Sequence, residues 1–193
     1  MRFRARDFLL VLALLATGTS GKAQTADELL DDAVVQELRL FLHPTDWTLL
    51  HTDFLENTYY PAELSWRGVE VKNIGVRSRG YGSRSGIKPA LRVDFNRYVK
   101  DQEFLGLTSL VLKNSVQDPS FLHERLSMLL FRRMGIPAPR EAYARLYVND
   151  QYAGLYIIVE PIDKKFLRRN FDEDGGYLYE YRWNDEYYFQ YLG

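Results

Sequence analysis

Residues 79–86 read Arg-Gly-Tyr-Gly-Ser-Arg-Ser-Gly, a run of glycines and serines carrying two arginines. A glycine-rich loop lets backbone N–H groups come close to phosphate oxygens, and flanking guanidinium groups add bidentate contacts. The pattern is neither a Walker loop nor the G-x-G-x-x-G of typical kinases, and taken by itself it fits a mobile surface hairpin better, since glycine-rich turns are common. Lys88 and Arg92 follow, four residues apart. On one strand that spacing puts both cations on the same face, about 13 Å apart. Beneath the loop they would form a nucleotide site; otherwise they are a solvated face with Asp94 as partner. Lys113 ends an apolar run, and Glu124 lies on the segment that follows. A strand lysine paired with a helix glutamate is how many kinases hold phosphates. Glu160 ends another apolar run just before Pro161, where a carboxylate could accept a ribose hydroxyl or pair with a cation. His123, His43 and His51 have no zinc-site spacing, and no serine-hydrolase motif occurs.

These side chains need a scaffold, and the patterning supplies one. Residues 35–42 alternate as a strand, with Leu38, Leu40 and Leu42 on one face. A short helix is predicted at 46–56, capped by Thr45 or Asp46. Strands at 62–66 and 69–77 meet at Arg67-Gly68, and 88–95 alternates most cleanly, with Leu91, Val93 and Phe95 facing one way. Another strand covers 109–113. Asp118 and Pro119 suit the N-cap and first position of a main helix with an apolar face of Leu122, Leu126, Leu129, Leu130 and Met134, stopped at Gly135. Strands at 142–148 and 153–159 form a hairpin around Asn149-Asp150. The expected class is α+β: an antiparallel sheet with one main helix packed on it.

Composition narrows the setting. Residues 1–23 hold Arg2, Arg4 and Arg6, then nine apolar residues at 8–16, then small and polar residues up to Ala23. This is the order of a signal peptide, and the apolar run is too short for a bilayer span of roughly 20 residues. The remainder, 24–193, is about 170 residues, enough for one domain with its own core. The chain carries 25 basic and 26 acidic residues, which argues against a nucleic-acid partner. It has no cysteine, so disulfides, thiolate metal sites and thiol nucleophiles are excluded. Residues 177–192 are rich in tyrosine, interleaved with charge. Together with a β-rich body they leave open a different role, a non-catalytic secreted or envelope module that binds a glycan or a protein.

In order and spacing, the motifs resemble the CotH family of spore coat protein H-like secreted kinases. The resemblance rests on Arg79-Gly80, Lys88-Pro89 through Phe95, Phe104-Leu105-Gly106-Leu107, Asp118-Pro119-Ser120, Gly135 through Pro139, Asn149-Asp150 and Gly154 through Asp163. It covers residues 70–180. It implies a protein-kinase-like N-terminal lobe without its C-terminal lobe, in an exported protein with no transmembrane segment beyond the leader. It also implies an ATP γ-phosphoryl transfer, with Mg²⁺ or Mn²⁺, to Ser or Thr of exported proteins. The nucleotide contacts it suggests are Arg79, Lys88 and Arg92, with Glu160 on the hinge side of a cleft. The catalytic and metal-binding acids are expected beyond Gly193, so the 193-residue chain is expected to be inactive alone. Two positions depart from the pattern: His123 stands where the family often has arginine, and Lys113 where it usually has an amide.

Overall fold

Alternating apolar residues dictate strands, and in the computed structural model, which describes residues 23–179, those strands close on themselves. The elements in chain order are α1 (Ala26–Leu29), β1 (Gln36–Leu42), α2 (Pro44–Thr52), β2 (Tyr60–Trp66), β3 (Val69–Ser78), β4 (Leu91–Asp94), β5 (Ser109–Lys113), α3 (His123–Arg133), β6 (Glu141–Val148), β7 (Gln151–Val159) and α4 (Lys164–Phe171). The strands form a closed barrel in the order β1-β2-β3-β4-β5-β7-β6. All pairs are antiparallel except the closing one, where β1 runs parallel to β6 from Gln36↔Ala144 to Leu40↔Val148. The leader and most of the aromatic stretch at 177–192 lie outside the described residues.

The interior is filled by the inward residues of each strand. Leu38 and Leu40 of β1, Leu64 and Trp66 of β2, Ile74 and Val76 of β3, Leu91 and Val93 of β4, Leu110 and Leu112 of β5, Ala144 and Leu146 of β6, and Tyr156 and Ile158 of β7 form one core. Trp66 satisfies its indole N–H on Gln36 Oε1 at 3.0 Å, as a buried donor must. Tight turns sit where left-handed residues allow them: Arg67 and Gly68 have φ of 49° and 81°, and Asn149 and Asp150 have 49° and 62°.

The expected α+β class, an antiparallel sheet with one packed helix in a kinase-like lobe, is therefore wrong. The molecule is a mixed seven-stranded barrel with short helices. A closed sheet buries its own inner face and has no free edges, so it needs no helix to cover it. The main helix differs accordingly. It begins at His123, because Asp118 and Ser120 form a tight turn, with the Asp118 carboxylate accepting from the amides of Ser120 and His123. None of its residues is buried, and Leu122, Leu126, Leu130 and Met134 are exposed. Ion pairs hold it instead: Lys113–Glu124, Arg125–Asp32, and Arg132 with Asp32 and Glu141. Leu126, 55 % exposed, contrasts with Leu38 at 0 %. Leu38→Ala is expected to cost about 2–5 kcal/mol, and Leu126→Ala no more than about 0.5 kcal/mol. Paired urea melts of the two variants check this.

Candidate functional site

Three segments converge on a concavity of about 260 Å³ at one side of the barrel. The loop after β3 contributes Arg79, Gly80 and Ser83, the end of β5 and its turn contribute Lys113 through Gln117, and the entry to α3 contributes Asp118, His123 and Glu124.

The loop is tied down rather than mobile. The Arg79 N–H donates to the Ala90 carbonyl at 2.8 Å and closes its base. Arg84 turns its guanidinium back onto backbone, donating to the carbonyls of Gly80 (2.7 Å), Leu55 (2.6 Å) and Glu56 (3.0 Å) and to Asn57 Oδ1 (2.6 Å). Gly80, at φ 119°, is required here, since a Cβ would lie 2.5 Å from Ser83 Oγ. Buried Asn114 donates its amide to the carbonyls of Ser83 (2.9 Å) and Lys88 (2.7 Å). Gln117 donates to the Gly82 carbonyl at 2.9 Å.

Opposite the loop, Lys113 Nζ lies 2.5 Å from Glu124 Oε2. The second Glu124 oxygen is buried and has no hydrogen-bond partner, so it can accept an N–H or O–H. The Ser120 hydroxyl, then the His123 amide, outweigh partial burial and hold the Asp118 carboxyl below its ordinary value. His123 Nδ1 lies 3.9 Å from Asp118. The pocket thus offers two cations, Arg79 and Lys113, to an anionic group, and one unsatisfied acceptor to a donor. Among the described residues no cluster of three or more His, Asp or Glu side chains is placed to hold a metal ion.

The four residues singled out from the sequence are not brought together. Arg79 lines the pocket. Lys88 precedes β4 rather than standing on it. It sits behind the pocket wall, donating to the carbonyls of Asn114 (2.8 Å) and Leu155 (2.6 Å). Burial pushes its ammonium below the usual lysine value. Arg92 points outward from β4, pairs with Asp94 at 3.5 Å, and borders a separate groove with Thr108 and the start of α4. Glu160 is 2 % exposed and clamped between Arg140 and Arg169. The Lys113–Glu124 pair was visible as a strand-end lysine and a helix glutamate. Asn114 and Gln117 were missed, because nothing in the sequence of a turn amide reveals that its partner lies some 30 residues upstream.

The family model described as CotH kinase protein matches residues 76–192. Inner spore coat protein H of Bacillus subtilis (strain 168) is 26 % identical over 141 residues, 73 % of this chain and 38 % of that protein. An inner spore coat protein H-like protein of the same strain is 33 % identical over 98 residues, 47 % of this chain and 32 % of that protein. The matches thus span about a third of these relatives' length.

Proposed function

The chain belongs to the CotH kinase family, and from that premise we propose that it forms the nucleotide-holding part of a kinase that transfers the γ-phosphoryl group of ATP to Ser or Thr hydroxyls of exported proteins. The observation that carries this reading is the Lys113–Glu124 pair at 2.5 Å in a pocket that also holds Arg79. Phosphoryl transfer asks little covalent chemistry of a protein and much positioning and charge neutralisation. Lys113 and Arg79 would take phosphate oxygens, and Glu124 would keep the Lys113 ammonium aimed. The unpartnered Glu124 oxygen would receive a hydroxyl or an N–H of the ligand. In this reading Arg92 and Glu160 act from outside the pocket, on the packing of β4 and of α4.

The divalent cation that such transfer uses, Mg²⁺ or Mn²⁺, finds no set of three or more His, Asp or Glu ligands among the described residues. Export is part of the proposal: the leader-like order of residues 1–23 supports it, as do relatives named for the spore coat. Among the described residues no helix is long and apolar enough to cross a membrane. The test is transfer of radiolabel from γ-labelled ATP to a secreted-protein acceptor, by the full-length gene product and by its Lys113→Met variant. Label transfer that depends on Lys113 is expected; equal transfer by both proteins removes the pocket from the reaction.

A further inference from the structure

Lys88 lines no part of the pocket beside Arg79 and Lys113, yet it contacts all three segments that wall it. It closes the glycine-rich loop in sequence, and its own carbonyl accepts from Asn114 Nδ2 at 2.7 Å. Its ammonium donates to the Asn114 carbonyl at 2.8 Å, on the β5 exit. The same ammonium lies 4.8 Å from the ring centroid of Phe121, at the entry to α3, and 4.7 Å from that of Tyr156. A fourth contact, to the Leu155 carbonyl at 2.6 Å, fixes this assembly to β7. Among the described residues no carboxylate forms an ion pair with it, so its hydrogen bonds go to backbone oxygens, and each is a charge-assisted bond.

The barrel makes room for this side chain. Gly154 on β7 has φ 128°, and a Cβ there would stand 3.1 Å from Lys88 Cε. Phe121 is held in turn, its carbonyl accepting from the Tyr143 hydroxyl at 2.6 Å. The Lys88 ammonium therefore joins the β5 exit to the helix entry and to β7, while its backbone carries the end of the glycine-rich loop.

We propose that Lys88 is a positioning residue for the nucleotide pocket: it sets the spacing between the wall carrying Arg79 and the walls carrying Lys113 and Glu124, without touching the ligand. This rests on the nucleotide reading for its consequence, but not for its geometry, and the two are measured separately. Lys88→Met keeps the stem and removes the charge.

In hydrogen exchange of the unliganded chain, amides at 79–88 and 114–123 are expected to exchange about tenfold faster than in the parent, the scale of one lost charge-assisted bond, while β1 and β2 stay within about threefold. ATP affinity, read by titration calorimetry, is expected to fall about tenfold or more at similar thermal stability. Gly154→Ala, which crowds the Lys88 stem, should open the same two segments, and serves if Lys88→Met does not fold. Unchanged exchange at 79–88 and 114–123, or a uniform rise across the barrel, would overturn the proposal. So would unchanged ATP affinity in a variant whose parent binds ATP. A parent that binds no ATP removes the nucleotide reading, and the exchange measurement then still decides whether Lys88 holds the three walls together.

Discussion

Glu160→Ala is expected to destabilise the protein by about 3–5 kcal/mol, the scale of breaking a buried ion pair from one side. Glu160 is 2 % exposed at the end of β7. Its carboxylate accepts from Arg140 Nη2 at 2.5 Å, Arg169 Nη2 at 2.6 Å and the Arg140 amide at 3.1 Å. Arg140 also pairs with Asp27, so one carboxylate joins β7, β6, α4 and α1. Removing it leaves the Arg140 guanidinium, itself largely withdrawn from water, paired only with the exposed Asp27. In thermal denaturation this corresponds to a drop of about 6–20 °C in Tm.

The same residue gives a pH signature. Burial alone would raise the Glu160 carboxyl, but the Arg140 hydrogen bonds and then Arg169 outweigh it and leave the group below its ordinary value. A carboxyl depressed on folding contributes stability above its unfolded value, about 4.3, and loses it as pH falls through the folded value. The Tm gap between the parent and Glu160→Gln should therefore be widest near neutrality and narrow on acidification below about pH 4. Glu141 works in the opposite sense: burial raises it despite Arg132. Because it is present in both proteins, the gap isolates Glu160. A gap that is constant with pH would contradict the clamp.

Lys113→Met is expected to lower phosphoryl transfer by the full-length gene product about 10²–10³-fold, the cost of one preorganised charge partner. Methionine keeps much of the lysine volume and removes only the donor. It also strands Glu124, whose second oxygen is already buried without a partner. Lys72→Met serves as control, since Lys72 pairs with Glu63 at 3.3 Å on exposed surface and should leave transfer unchanged. Loss in both variants, or in neither, would count against Lys113 as a phosphate contact.

How far the residues foretold this arrangement depends on the range of the forces involved. Strand alternation at Leu38-Leu40-Leu42 and Leu91-Val93-Phe95, and the turns at Arg67-Gly68 and Asn149-Asp150, are local and were legible. Barrel closure was not, since it pairs Gln36 with Ala144 in parallel and no short-range pattern encodes that contact. Periodicity marked an apolar stripe on α3 that was expected to pack on the sheet, and in the structure that stripe is not buried. Periodicity could not tell that Lys113, Asp32 and Glu141 would draw the charged side of the helix onto the barrel. The strand expected at 88–95 is confined to Leu91–Asp94, since Pro89 has no N–H to give to a ladder. In the site, the Lys113 and Glu124 pairing was readable from residue types. The pinning of the glycine-rich loop was not, since Arg84 finds its carbonyls some 28 to 30 residues upstream.

A nucleotide site between the glycine-rich loop and the Lys113–Glu124 pair would be visible in hydrogen-exchange footprinting of the chain with and without saturating ATP. Protection is expected to be confined to amides around 79–83 and 113–124 and to be lost in Lys113→Met. Protection that falls instead on the groove of Arg92, Thr108 and Lys164, or no protection at all, would contradict it.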